Sequence, residues 1–575
     1  VSELTIRGHP ASPGAAVGGA WTQPHGEVAV AGTPDQECDR VRSGLDMVQS
    51  ELADLAETLR ADGHSADAEI VETNRMMAAD SALVTAAIAA AEAGAPAAQA
   101  IAAAAEPHVL ALAGLEDPTL AARAADLRAI ARRAGELADG GGAQPPAGSV
   151  VVAEDLGPGD VAAWVKNISG IVLAGSASTA HAAIVARSLG IPLVTGAGAA
   201  ALAIPTGEEI AVDADRGLVI RRIEPATRER LQARIEQAVA EVERGRRERL
   251  EPAVTTDGRA VRLLGNAGTR AEVEAALAAG AEGIGLLRTE LGFLDAQAWP
   301  SEDAHVAALR PILSLLTDRV ATVRTLDFGG DKTPPFLVGS GVENMLGPRG
   351  IRLGLARADE ALAPQVRALL RVSGDAILRI LVPMVTEAAE IDAVREIVHA
   401  ARDAVAPGSP DPLIGAMIEV PAAALSAQSV ARSCDFLSIG TNDLVQYTMA
   451  ADRLDPAVAD RVVAHHPAVL RLIARVVTAA HATGIPVDVC GEAAGDPEML
   501  PLLVGLGVDE LSVSPARIPA TRRMIRALSV QRARKAAVDA LEATTAAEVA
   551  AVSMAVLDAC SGQRLEQPGN GVESL

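Results

Sequence analysis

The hydrophobic pattern changes period several times along the chain. Residues 1–30 carry short apolar runs punctuated by Gly and Pro, as in Ala11-Ser-Pro-Gly-Ala-Ala-Val-Gly18, and read as strands. From Pro34 to about Gly140 the spacing turns helical, with Leu45, Val48, Leu52, Leu55 and Leu59 three and four residues apart. Thr33-Pro34 is a good helix start, Thr as N-cap and Pro at the first helical position. Breaks near Gly63, Gly94-Ala-Pro96 and Asp117-Pro118, then Gly140-Gly-Gly142, leave room for four helices. After Pro145-Pro146 the pattern predicts strands over 149–153, 170–174, 191–195, 209–212 and 218–220. Between the second and third, Ser176-Ala-Ser-Thr-Ala-His-Ala-Ala-Ile-Val-Ala-Arg-Ser-Leu-Gly-Ile-Pro192 begins as a loop of small residues and becomes a helix near His181. Residues 223–251 are charged throughout and helical, with no broad apolar face. They predict either a connecting helix between mobile halves, about 40 Å long, or a solvated helix packed edge-on.

From residue 253 strands and helices alternate. Strands are predicted over 261–265, 283–287, 321–326, 377–383, 413–418, 436–439, 486–489 and 510–513, the size and repeat of a closed (β/α)₈ barrel. The polar residues at the strand ends are Asn266, Arg288-Thr289-Glu290, Arg324-Thr-Leu-Asp327, Glu419, Asn442-Asp443, Cys490-Gly-Glu492 and Ser514. A barrel gathers such ends on one face, where groups too costly for a core find use.

Length and charge narrow the function. A chain of 575 residues exceeds one core, and its net charge of −24 argues against nucleic acid or an anionic membrane as partner. No uninterrupted apolar run is long enough to span a bilayer, and the first residues lack the basic and apolar regions of a leader, so membrane insertion is not expected and a cytoplasmic location is. Cys38, Cys434, Cys490 and Cys560 are too scattered for a disulfide framework. All four Phe and the only Tyr fall between residues 290 and 450, so the first half must pack Ala, Val, Leu and Ile.

Arg288, Arg324 and Arg453 aimed at one mouth make a clamp for phosphate or carboxylate. Glu419 and Asp443, beside Asn442, offer hard oxygen ligands for Mg²⁺. The ordinary alternative is a set of ion pairs that hold the loops. Cys490, at the end of the seventh strand, is a buried hydrophobe or a proton donor. His181 at a helix start is a packing residue or an anion-site nucleophile. A phosphorylated acid in the barrel and a His elsewhere suggest phosphoryl relay.

Several stretches resemble one known family. Gly283-Ile-Gly-Leu-Leu-Arg-Thr-Glu290, Val323-Arg-Thr-Leu-Asp-Phe-Gly-Gly-Asp-Lys332, Met417-Ile-Glu-Val-Pro-Ala-Ala423, Asp435-Phe-Leu-Ser-Ile-Gly-Thr-Asn-Asp-Leu-Val-Gln-Tyr-Thr-Met-Ala-Ala-Asp-Arg453 and Cys490-Gly-Glu-Ala-Ala-Gly-Asp496 are similar to the phosphoenolpyruvate-binding barrel of Enzyme I of the bacterial sugar phosphotransferase system and its dikinase relatives. Thr179-Ala-His-Ala-Ala-Ile-Val-Ala-Arg-Ser-Leu-Gly-Ile-Pro192 resembles the family's phosphohistidine loop. The dikinases carry a nucleotide-binding domain for which this chain has no room. Its helical insertion, closed by Ala124-Ala-Asp-Leu-Arg128, looks like that of Enzyme I, which docks the carrier protein HPr.

The resemblance implies a multidomain α/β protein. Residues 1–30 and 141–222 would form a swivelling phosphohistidine α/β domain and 31–140 an inserted helical HPr-binding domain. Residues 223–252 would be a linker helix, 253–560 a phosphoenolpyruvate-binding (β/α)₈ barrel that also dimerises, and 561–575 a tail. It implies that His181 is phosphorylated, that Arg288, Arg324, Asn442, Asp443 and Arg453 bind phosphoenolpyruvate, that Glu419 and Asp443 bind Mg²⁺, and that Cys490 protonates the enolate to give pyruvate. The partners implied are HPr and a second copy of the chain. Two departures stand out. Ser176-Ala-Ser-Thr-Ala180 replaces the family's usual Gly-Gly-Arg-Thr-Ser before the His, and Asp155-Leu-Gly-Pro-Gly159 puts Gly157 where a Thr is usual. These leave two alternatives: a phosphoenolpyruvate enzyme with a small-molecule acceptor, and an HPr-binding scaffold with weak or no catalysis.

Overall fold

Val150, Val151 and Val152 are buried side by side, as a strand covered on both faces requires. They form the middle of β4, in a computed structural model that describes residues 3–22, 32–61, 65–114, 118–141, 144–175, 180–330, 332–453, 455 and 458–562. The chain divides into two units, Val1–Glu243 and Arg244–Leu575.

The first unit begins with β1 (Leu4–Arg7), β2 (His9–Ser12) and β3 (Ala15–Thr22). The helices α1 (Pro34–Ala61), α2 (Ser65–Ala78), α3 (Ser81–Glu92), α4 (Ala97–Ala113) and α5 (Pro118–Ala138) follow. Then come β4 (Ser149–Ala153), α6 (Pro158–Trp164), β5 (Ile168–Leu173), α7 (Ala180–Ser188), β6 (Leu193–Thr195), β7 (Glu209–Asp213) and β8 (Leu218–Arg221). The eight strands form one mixed sheet in the order β1-β8-β7-β3-β4-β5-β6-β2. Val150, Val152, Val172 and Val194 pack on one face with Val212 and Val219, while Val151, Ile171, Leu173 and Leu193 join the core of the helices. Trp21 and Trp164 meet edge to face at 5.1 Å in that second core.

The helical stretch holds five helices where the spacing left room for four. The missed break separates α2 from α3. There Asp80 caps α3, its carboxylate accepting from the backbone of Ala82 (2.7 Å) and Leu83 (3.3 Å). No Gly or Pro marks the spot, so the apolar spacing runs on through it.

A further helix, Pro225–Arg247, carries the charged stretch, and the boundary between the two units falls within it. In the second unit β9 (Arg262–Ala267), β10 (Gly283–Leu287), β11 (Val320–Arg324), β12 (Ile377–Val382), β13 (Leu413–Ile418), β14 (Phe436–Ile439), β15 (Val487–Val489) and β16 (Glu510–Val513) are all parallel and close into a barrel, β16 pairing with β9. The eight strands fall where the alternation predicts them, to within two residues at either end. Leu263, Ile284, Val323, Ile380 and Leu437 face outward onto the surrounding helices, in one continuous core. The alternate positions fill the barrel. Leu286, Leu381, Met417, Phe436 and Cys490 cluster there, together with a polar column that includes Arg379, Ser438, Asp488, Glu510 and Ser512.

Candidate active site

Each βα turn of the barrel delivers its polar residues to the carboxyl end because the strand stops there and a helix or loop begins. Gly440 ends β14, and the helix Thr441–Met449 starts at once, which places Asn442 and Asp443 in its first turn. A Cβ at Gly440 would lie 3.0 Å from Glu419 Oε2, so the turn runs against the Glu419 carboxylate. Met384 N–H donates to Glu419 Oε1 at 2.7 Å, from a residue held at φ 59°. A left-handed conformation is unfavourable for Met and is found mostly where function or packing enforces it.

Burial, then the nearby charges of Asp443 and Asp327, push the Glu419 carboxyl up to about 8. At that value the carboxyl is largely protonated at neutral pH, and a nearby cation would draw it back to the carboxylate. Asp443 Oδ1 lies 3.5 Å from Arg349 Nη1 and 3.9 Å from Arg453 Nη1, neither of them a close pair. Asn442 is tied to the next turn: its Oδ1 accepts from Glu492 N–H at 2.9 Å.

Arg324 is buried and engaged. It donates to Glu290 Oε1 at 2.5 Å and lies 3.3 Å from Asp327 Oδ2. Lys332 Nζ reaches Glu290 Oε1 at 2.9 Å. Against the burial that would raise them, Arg324 and Lys332 hold Glu290 down, and Arg324 and Arg349 hold Asp327 at about 2. Arg324 therefore fits part of the ordinary alternative, an ion pair that fixes loops. Arg288 does not. It follows β10, half-buried, and its guanidinium has no hydrogen bond or ion pair among the described residues. Cys490 is buried, its thiol donating to the Ile439 carbonyl at 3.7 Å, and burial pushes it up to about 12. It is a protonated acid at neutral pH.

The structure thus brings Arg288, Arg324, Glu419, Asn442, Asp443, Arg453 and Cys490 to one end of the barrel. His181 lies in α7 of the other unit. Its side chain and the loop 176–179 lie outside the described residues. Sequence reasoning missed Arg349, which pairs with Asp327 at 2.8 Å and reaches Tyr447 Oη at 3.4 Å. Its only signal was Gly-Pro-Arg-Gly: Gly350, at φ 56°, packs where a Cβ would meet Met384 Cβ at 2.9 Å.

A divalent cation fits the chemistry of the donors: Glu419 and Asp443 bring two carboxyl groups to neighbouring strand ends, and a cation there would favour the ionised form of Glu419. The described residues assemble no group of three or more His, Cys, Asp or Glu for a protein-only cage. Mg²⁺ takes few protein ligands and fills the rest with water and substrate oxygens. At Gly157 the second departure has a packing cause: a Cβ there would lie 2.7 Å from Ala129 Cβ on α5.

Comparison with known proteins agrees with this geometry. Residues 242–530 match the family described as PEP-utilising enzyme, PEP-binding domain. Residues 145–217 match its mobile domain and 7–123 its N-terminal domain. A phosphoenolpyruvate-protein phosphotransferase of Cupriavidus necator is 36% identical over 511 residues, 84% of this chain and 86% of that protein. One from Haloferax volcanii is 40% identical over 415 residues, covering 71% and 72%. A multiphosphoryl transfer protein of Rhodobacter capsulatus is 39% identical over 444 residues, 76% of this chain but 53% of its own length, so the chain spans about half of that relative.

Proposed function

The chain belongs to the phosphoenolpyruvate-protein phosphotransferases, within the PEP-utilising enzymes, and we propose that it moves the phosphoryl group of phosphoenolpyruvate to its own His181 and then to a histidine of the carrier HPr, as the first step of a sugar phosphotransferase system. The observation that carries the reading is the unpaired Arg288 at the same barrel end as the Glu419 and Asp443 carboxyl groups. A dianionic phosphate with a carboxylate needs both guanidinium groups and a cation to be held there.

Arg288, Arg324 and Arg453, with Asn442, would bind and orient the substrate. Glu419 and Asp443 would hold Mg²⁺, which when bound offsets the charge on phosphate and enolate oxygens. The His181 Nε2 forms a bond to phosphorus as the bond from phosphorus to the enol oxygen breaks. Cys490 gives its proton to C3 of the enolate and pyruvate leaves. The helices α1–α5 would dock HPr; their exposed apolar side chains include Met47, Met76 and Leu110. The barrel unit would pair with a second copy. No helix among the described residues is long and apolar enough to cross a membrane. The four cysteines, all free and buried, fit a reducing, cytoplasmic setting.

The test is intact mass after incubation with phosphoenolpyruvate and Mg²⁺. One acid-labile phosphoryl group on the wild type, absent from His181→Ala and removed by HPr, is expected. No phosphorylation would favour the scaffold, and pyruvate formation without a protein acceptor would favour a small-molecule enzyme.

A further inference from the structure

Asn266 stands near the end of β9 at the barrel mouth, and none of the roles assigned to that mouth uses it. Leu263 and Ala267 belong to the outward core, so Leu264 and Asn266 point into the barrel. There the Asn266 amide is fully spent. Its Nδ2 donates to the carbonyl of Cys490 at 3.0 Å and to that of Ser512 at 3.1 Å, and its Oδ1 accepts from the Ser512 hydroxyl at 2.7 Å. Carbonyl oxygens can only accept, so the amide nitrogen must face both of them. Ser512, fully buried, fixes the opposite oxygen. The amide has no donor left for a ligand, and what it holds is backbone.

That backbone carries the proposed acid. The pairing of β15 with β16 runs from Asp488 and Glu510 to Val489 and Leu511, and Cys490 lies one residue past the end of β15. Asn266 reaches across β16 from β9, the next strand of the barrel, to take the Cys490 carbonyl. On the other side the turn is tied to the β14 end. Cys490 N–H donates to the Ile439 carbonyl at 3.1 Å, and Glu492 N–H to Asn442 Oδ1 at 2.9 Å. Between them a Cβ at Gly491 would come within 2.6 Å of the Thr441 nitrogen. The thiol's own hydrogen bond, 3.7 Å to the Ile439 carbonyl, is long and holds it weakly. Its aim therefore follows from the peptide that bears it, and Asn266 fixes that peptide on the side where strand pairing has ended.

We propose that Asn266 is a positioning residue for the protonation step, holding the Cys490 carbonyl so that the thiol is aimed at C3 of the enolate; this rests on Cys490 being the acid that protonates it. In that step the S–H bond breaks as the C3–H bond forms. The electron pair of the C2–C3 double bond takes the proton, and the enolate oxygen becomes the carbonyl oxygen of pyruvate. Such a transfer needs the reacting atoms about 3–3.5 Å apart, and a displacement of about 1 Å costs on the order of 100-fold. Phosphoryl transfer to His181 breaks the bond from phosphorus to oxygen and needs no proton from sulfur, so the two steps separate.

The test uses the full chain with Mg²⁺ and two measurements. Loss of pyruvate methyl hydrogens into D₂O, read by NMR, reports proton transfer between sulfur and carbon. A single turnover from phosphoenolpyruvate, read as phosphoryl group on the protein, reports the other step. Asn266→Ala, and Asn266→Asp, which keeps the size but puts an oxygen against the two carbonyls, should slow exchange about tenfold or more. The KM for pyruvate in exchange and the single-turnover rate should both stay within about twofold of wild type. Ser512→Ala frees the amide to turn, should slow exchange in the same sense, and carries the test if the Asn266 variants do not fold. Unchanged exchange, or an equal loss in both measurements, overturns the positioning role. Cys490→Ala separates the two readings. If it abolishes exchange while the other variants behave as wild type, the positioning role alone is lost. If it leaves exchange intact, the reading beneath it falls as well.

Discussion

Arg288 and Arg324 sit at the same barrel mouth and are held in opposite ways, so their removal should have opposite consequences. Arg324 neutralises the fully buried Glu290 and shares Asp327 with Arg349. Arg324→Ala leaves buried carboxylates under-paired, which costs about 3–5 kcal/mol; the barrel's thermal midpoint should fall markedly. Arg288 pairs with no described residue, so Arg288→Ala should leave that midpoint within a degree or so of wild type and weaken phosphoenolpyruvate binding by roughly tenfold or more. Calorimetry and titration on the two variants check both halves, and a destabilised Arg288→Ala would count against the assignment. His305 gives the pH case. It is buried against Phe293 (ring centroids 4.9 Å apart), neither ring nitrogen has a partner among the described residues, and burial holds it at about 4. The folded value lies below the unfolded one of about 6.5, so the unfolded chain binds more protons between them and stability falls as pH drops from 6.5 toward 4. The loss approaches roughly 3 kcal/mol at the acid end. His305→Phe should flatten that acid limb in midpoints measured from pH 7 to 4, and parallel limbs would refute the account.

At the scale of elements, α6 and α5 meet so closely at Gly157 that the missing hydroxyl has a steric reason. Gly157→Thr puts a Cβ 2.7 Å from Ala129 Cβ and should cost about 1–3 kcal/mol. Ala129→Gly in the same chain should recover most of it, and no recovery in the double variant would mean the contact is not the cause. The same scale shows what the sequence could reveal. Barrel strands were legible because short, nearly continuous apolar runs such as Ile377–Val382, covered on both faces, recur between helical segments. The α2–α3 break was not, because Asp80 is an ordinary polar residue in a small-residue stretch and acts as a cap only through its geometry. Arg349 was hidden for a related reason. Its loop has no period, and its role comes from Asp327, 22 residues earlier, and from Asp443, 94 later. The interior column was masked by its own strands: Arg379 and Asp488 each stand alone in an apolar run, Glu510 opens its strand beside Asp509, and only closure of the barrel brings them together.

At the scale of the molecule, the proposed nucleophile and the proposed acid belong to different units, each with its own core, joined through the charged helix Pro225–Arg247. Every barrel group assigned to pyruvate chemistry lies in Arg244–Leu575, and His181 lies in Val1–Glu243. Separately expressed, the two units should each unfold cooperatively. The second should exchange pyruvate methyl hydrogens by itself, and the first should take no phosphoryl group from phosphoenolpyruvate. Mixing them should restore transfer only weakly. A tether sets an effective concentration near the millimolar range, so fragments at about 10 µM should react on the order of 100-fold more slowly than the joined chain. The rate should rise in proportion to added first unit, whereas that of the intact protein should not depend on its own concentration. Transfer between micromolar fragments as fast as in the intact chain would mean that the helix is not the tether that brings His181 to its donor, and that the units recognise each other directly.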